Sequence, residues 1–209
     1  MPKEHKVRKG ECLSSIAEKY GLFPDTIAND PANADLKTKR KDLNVLYPGD
    51  VVAIPDKRVK EESCATEQKH RFRKKGTPAV LRLQLLDEDD SPRANLNYNL
   101  QVDGQYFEGT TDSDGKIEQS IPPGAKKGIL LIENDDPIPL SFGDLDPVDT
   151  ITGVQQRLLN LGFDCEGVSG RLDSKTEEAL KEFQQKYELN DSGELDQATK
   201  DKLLEIHGS

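Results

Sequence analysis

Apolar positions along this chain change their spacing from one region to the next, and each change predicts a different kind of element. The stretch HKVRKGECLSSIAEKYGL opens with the alternation of a short strand. It turns at Gly10 and continues as a helix with Leu13, Ile16, Ala17 and Tyr20 on one face, stopped by Gly21. A second helix start follows at Pro24 to Ala28, with Asp25 as a candidate cap. Pro48 and Gly49 then make a turn ahead of an apolar strand, Val51 to Ile54, ended by Pro55. The order strand, helix, helix, strand predicts two paired strands with both helices on one face.

Residues 56–77 are charged and nearly free of apolar positions, which reads as a linker. As a flexible coil, about twenty residues span roughly 25 Å. The alternative is that the basic run from His70 to Lys75 docks on the acidic middle of the chain. From residue 78 to 142 the period becomes two: Val80, Leu81, Leu83 and Leu85, then LNYNLQV, QYFEGTT, KIEQSIPPGA and GILLIEN. These five strands, broken by turns at Asp103-Gly104, Asp114-Gly115 and Pro123-Gly124, predict a small antiparallel β-sandwich.

The period is helical again from 149 onward. A helix is predicted from Ile151 to Leu161, ending at Gly162; another carries Ala179, Leu180, Phe183 and Tyr187 on one face, with Asp173 or Ser174 as its cap. The phrase G-x-L-D-x-x-T occurs at Gly170 to Thr176 and again at Gly193 to Thr199, so a turn followed by a capped helix is used twice. Leu158, Leu161, Leu180, Phe183 and Leu203 are the expected core. The whole chain reads as a multidomain α+β protein: residues 1–58, a linker at 59–77, a β domain at 78–146 and a helical domain at 147–209.

Three resemblances rest on these residues. Val7, Gly10, Leu13, Ile16, Ala17, Tyr20 and Gly21, with Leu46, Pro48, Gly49 and Ile54-Pro55, resemble the LysM domain. That resemblance implies a βααβ fold binding N-acetylglucosamine-containing glycans such as peptidoglycan or chitin. By position it places one groove wall at Gly10, Glu11, Cys12 and Leu13 and the other at Asn44, Val45, Leu46 and Tyr47. Two departures stand out. Cys12 replaces the usual Thr, exchanging a capping hydroxyl for a weak acceptor at a cost of about 0.5–2 kcal/mol. The connection PANADLKTKRKDLNVLYPGD is also longer than usual; its cluster of Lys37, Lys39, Arg40 and Lys41 either lengthens the groove or forms a surface for a protein.

The pattern Q-x-x-L-x-x-L-G, G-x-x-D-x-x-T-x-x-A-L-x-x-F-Q, G-x-L-D-x-x-T, covering nearly all of 149–207, resembles the peptidoglycan-binding-like three-helix domain. Most of its residues build the fold, which leaves exposed polar positions, Asn160, Asp164, Arg171 and Gln184, as contacts for glycan or protein. The phrase VDGQYFEGTTDSDGKIEQSIPPG resembles prealbumin-like or carboxypeptidase-regulatory-like β domains, in which it implies a hairpin and no chemistry.

Composition narrows the functional classes. Hydrophobic residues make up 33%, aromatics 5%, and Trp is absent, which favours several small cores over one large one. The net charge of -10 is uneven: residues 1–60 carry 12 basic and 9 acidic groups, and residues 149–209 carry 7 and 13. An acidic majority argues against wrapping nucleic acid. No apolar run approaches the ~20 residues of a membrane span, and MPKEHKVRKGE lacks a secretory h-region. Cys12, Cys64 and Cys165 are expected to be free thiols in a protein made in the cytoplasm.

No cofactor or metal is expected. Placing Gly115 at position six of a calcium loop puts Ile121 where the bidentate carboxylate belongs, so DSDG reads as a turn. His5, His70 and His207 have no partner at i+4, and neither H-E-x-x-H nor G-x-S-x-G occurs. The modules fill nearly the whole length and leave no segment for a catalytic cleft. The first expectation is a non-catalytic peptidoglycan-binding protein with two modules acting by avidity. The second follows from the absent signal: LysM modules with this long connection resemble those of proteins associated with type VI secretion spikes and phage-like tails. That resemblance implies an adaptor or structural subunit bound to a spike or toxin protein, and delivered to the periplasm or cell wall by a contractile system. A regulatory partner of a separately encoded cell-wall hydrolase is a third option.

Overall fold

The computed structural model describes residues 3–57, 61, 63–71, 79–133 and 136–208. In the N-terminal module β1 (Lys3–Lys6) pairs antiparallel with β2 (Val51–Ile54), with His5 opposite Val52. Between them lie α1 (Leu13–Tyr20), α2 (Pro24–Ala28), a 3-10 turn (Pro31–Asn33) and α3 (Ala34–Lys39). Gly21 closes α1 in the left-handed conformation, φ +64°. Val7, Leu13, Ile16, Ala17, Ile27, Leu43, Leu46, Val52 and Ile54 form one core.

The strand, helix, helix, strand order holds, and the long connection adds structure of its own. Asp30 caps the 3-10 turn by accepting from the Ala32 amide, 2.9 Å. Asn33, buried, donates to the carbonyls of Ile27 and Ala53 and accepts from the Ala53 amide, all at 2.8–2.9 Å. Its side-chain amide thereby completes the open edge of β2 and ties it to α2.

The middle region has six strands where the alternation predicts five. A two-stranded sheet pairs β3 (Ala79–Gln84) with β6 (Lys116–Ile121). A four-stranded antiparallel sheet has the order β5-β4-β7-β8: β4 is Asn97–Val102, β5 Gln105–Thr110, β7 Lys127–Ile132 and β8 Ile138–Ser141. Tyr98, Leu100, Val102, Ile117, Leu130 and Ile132 fill the space between the sheets. The additional strand, β8, is short and contains Pro139, which an edge position tolerates. Asp103 and Gly104, both at positive φ, make the β4–β5 hairpin.

DSDG is a turn of a different kind from the hairpin expected. β5 pairs with β4 and β6 with β3, so Asp112 to Gly115 carries the chain from one sheet to the other. The Asp112 carboxylate holds the bend by accepting from the amides of Asp114, 2.9 Å, and Lys116, 2.8 Å.

The C-terminal module is α4 (Ile151–Asn160), α5 (Ser174–Lys186) and α6 (Gln197–His207). Thr150, Asp173 and Asp196 are the N-caps, accepting from the amides of Gly153, Thr176 and Thr199. Val154, Leu158, Phe163, Ala179, Leu180, Phe183 and Leu203 make the core, and Phe163 meets Phe183 edge-on at 5.4 Å. Cys165 is buried among them, and burial pushes its thiol pKa up.

Side chains tie the modules to one another. The segment Asp144–Asp146 is bound to α4: Gln156 accepts from the Asp146 amide and donates to the Asp144 carbonyl, and Arg157 donates to the Asp146 carbonyl. Lys126 of the β region donates to the carbonyl of Gly10. A Cβ on Gly143 would stand 2.8 Å from that same carbonyl. Lys186 pairs with Asp90 at 2.7 Å, and Lys41 with Asp201 at 3.4 Å. The docking of the run His70 to Lys75 falls largely on residues outside those described; His70 itself bonds the Ala65 carbonyl at 2.8 Å.

Candidate functional site

The two walls expected to form the N-terminal groove are neighbours in space. The Leu13 amide donates to the Leu43 carbonyl at 3.1 Å, and Ser14 Oγ donates to Asn44 Oδ1 at 3.2 Å. The first wall is the β1–α1 loop. Gly10 stands at φ +79°, a conformation that side chains disfavour. Cys12 is the N-cap of α1, and Ser15 Oγ accepts from its amide at 3.0 Å and donates to its carbonyl at 2.9 Å.

Glu11 is the best-connected residue of this loop. One carboxylate oxygen accepts from the Arg8 amide at 2.9 Å and lies 2.8 Å from His5 Nε2, while the other lies 3.5 Å from Lys19 Nζ. Burial would raise its pKa, but these hydrogen bonds and the charges of His5 and Lys19 outweigh that and hold it below the usual carboxylate value. The other ring nitrogen of His5 meets the Tyr20 hydroxyl at 3.1 Å. His5 therefore fixes β1, the first wall and the end of α1 together.

The second wall is organised by Asp50. This buried carboxylate accepts from Arg40 Nε at 2.8 Å, Arg40 Nη2 at 3.2 Å, Lys39 Nζ at 3.3 Å and the Tyr47 amide at 2.9 Å. Burial again opposes ionisation, and Arg40, the Tyr47 amide and Lys39 hold the pKa below its ordinary value nonetheless. Arg40 also lies over the Tyr47 ring, 5.8 Å from its centre. The basic connection is thus anchored to the turn before β2.

Of the eight expected groove residues, Leu13, Val45 and Leu46 have buried side chains, Leu13 and Leu46 within the core, so their backbone is what a ligand could meet. Gly10, Glu11 and Cys12 are partly exposed; Asn44 and Tyr47 are exposed. Gly10 is the point where Lys126 and residues 143–144 of the β region approach the first wall.

The C-terminal candidates separate clearly. Asn160, Asp164 and Arg171 are exposed; Asn160 bonds His207 at 3.0 Å and Asp164 accepts from the Glu166 amide at 2.8 Å. Gln184, expected at the surface, is fully buried. It donates to the Glu194 carbonyl and Thr199 Oγ1, both 2.9 Å, and accepts from the Gly193 amide at 2.8 Å. Gln155 does the same for the first copy of the repeat, donating to the Arg171 carbonyl and Thr176 Oγ1 and accepting from the Gly170 amide. Each glutamine clasps one G-x-L-D-x-x-T turn. The separations, Gln155 to Gly170 and Gln184 to Gly193, differ, so a fixed-spacing motif does not expose the pair.

Among the described residues no group of three or more His, Cys, Asp or Glu is placed to hold a metal ion. Arg157 is buried in the last turn of α4 with its pKa lowered to about 10 by burial, partly offset by Asp146 and Asp42. His207 is lowered to about 4 by burial and by Arg157.

Residues 5–55 match the model of the LysM domain, and residues 148–203 match that of the putative peptidoglycan binding domain. No curated protein and no solved structure matches the chain. The two matches support peptidoglycan binding, and the chain carries a LysM domain and a peptidoglycan-binding domain separated by an antiparallel β region.

Proposed function

We propose that this protein is a non-catalytic peptidoglycan-binding protein whose two modules engage the same polymer at once. The observation that carries this reading is the presence of two different wall-binding families on one chain. Facing a repeating ligand, two weak sites gain about 10²- to 10⁴-fold in avidity with no new contact. In the N-terminal module the groove lies along Gly10 to Leu13 and Asn44 to Tyr47, and the exposed Asn44 and Tyr47 are its side-chain contacts. Amphipathic rings and amides suit sugar faces and hydroxyls.

Glu11 and Asp50, the carboxylates that brace the two groove walls, are held below their ordinary pKa by the amides and cations around them, which suits a structural part in the groove. The test is co-sedimentation of the full chain with purified sacculi, beside the same chain carrying Asn44→Ala and Tyr47→Ala. Strong retention of the first and at least about tenfold weaker retention of the second is the expected result. No retention of the unaltered chain would end the glycan reading and leave an adaptor that binds protein.

A further inference from the structure

A cleft of about 330 Å³ lies between the LysM domain and the C-terminal module; Asn44 and Tyr47 do not line it, although Val45 of the same wall does. Lys39, Arg40, Lys41 and Val45 line it from the N-terminal side; Pro147, Val148, Arg157 and Leu204 line it from the other. Its lining concentrates four cations, with Asp42 and Asp149 as its acidic residues. This reverses the local balance, since residues 149–209 carry 13 acidic groups against 7 basic ones. Three of the four cations come from the long connection that distinguishes this LysM domain.

We infer that this cleft binds the carboxylate-bearing peptide stem of peptidoglycan, while the groove takes the glycan. The inference rests on the peptidoglycan reading above and assigns it a second ligand class. Val45, Pro147, Val148 and Leu204 give the cleft an apolar strip for small side chains. Lys39 and Lys41 stand beside it with side chains 62% and 75% exposed; each meets one carboxylate, Asp50 and Asp201, and an ammonium with three donors keeps others for a ligand. A volume near the lower end of small-ligand sites, ~300–1,000 Å³, suits a few small residues and is too short for an extended glycan strand. The acidic C-terminal module, poorly suited by itself to an anionic peptide, takes its cations from the LysM connection.

The test is titration of the full chain with a free stem tetrapeptide, with the same peptide as its carboxamides, and with an N-acetylglucosamine oligomer. Each titration is repeated on a chain carrying Lys41→Glu. Lys41 is exposed and takes no part in bracing the groove walls, and circular dichroism checks that the variant keeps its fold. The expected result is tetrapeptide affinity at least about tenfold weaker in the variant, with oligomer affinity unchanged. The carboxamide should bind the unaltered chain about as weakly as the acid binds the variant, and rising salt should weaken the acid alone.

Equal binding of acid and carboxamide, or an unchanged affinity in the variant, would overturn the inference. So would an unaltered chain that binds the oligomer and no peptide, an outcome that leaves the peptidoglycan reading standing. Loss of that reading itself is read separately, in the absence of sacculus and oligomer binding.

Discussion

Replacing Gln184 by Ala should unfold much of the C-terminal module although the residue touches no ligand. Its amide makes three hydrogen bonds of 2.8–2.9 Å, to Glu194, Thr199 and Gly193, and it has no exposed surface. Truncation leaves the Gly193 amide, the Glu194 carbonyl and the buried Thr199 hydroxyl without these partners. Each orphaned group costs about 1–3 kcal/mol, and entry of water into the space recovers part of it, so a total of about 3–5 kcal/mol follows. A module of about sixty residues is stable by only ~3–9 kcal/mol. Hydrogen exchange on the full chain reads the loss directly: amides of α5 and α6 should lose protection while those of β1 and β2 keep theirs. Gln185→Ala is the control, because that side chain is exposed and, among the described residues, bonds only Asp191; it should shift stability by less than about 0.5 kcal/mol. Equal effects of the two substitutions would refute the clasp.

Arg40→Ala should destabilise the LysM domain by about 2–3 kcal/mol in urea unfolding, below the ~3–5 kcal/mol of a fully orphaned buried charge because Lys39 and the Tyr47 amide remain on Asp50. Adding Asp50→Asn should recover part of that loss, and a double variant no better than the single one would show that the pair is not what holds the second wall. Acid should weaken the C-terminal module through His207. Its folded pKa of about 4 lies below the unfolded ~6.5, so its contribution is complete above pH 6.5 and lost as pH falls toward 4. A loss of about 1–3 kcal/mol across that window is expected, and His207→Gln should flatten it; an unchanged slope would place the titration elsewhere.

What local chemistry specifies was legible in the chain. Asp173 caps α5, Gly21 stops α1, and Leu158, Leu180, Phe183 and Leu203 are core, because cap, turn and period each act within one or two turns of backbone. β8 escaped notice because it is only four residues long and contains a proline, which argues against a strand; its pairing with β7 supplies what its sequence lacks. The turn at DSDG was legible as a turn, but which strands it joins depends on partners far along the chain. Gln184 was misplaced for a related reason. A glutamine next to Phe183 on an amphipathic helix can face either way, and the polar turn at Gly193 draws it inward. In the candidate groove, the loops were legible and their bracing was not: His5 reads as a strand-edge residue until Glu11 and Tyr20 close around it.

The approach of Gly143 to Gly10 sets a limit on what evolution can place there. Gly143 stands at φ +74°, and any side chain at that position would be pressed 2.8 Å from the Gly10 carbonyl while its own backbone was strained. Neither domain's core includes residue 143, so a methyl group added there strains its own turn and presses on the joint between them. The missing side chain is what lets this loop of the β region lie against the β1–α1 loop, beside the hydrogen bond from Lys126 to the same carbonyl.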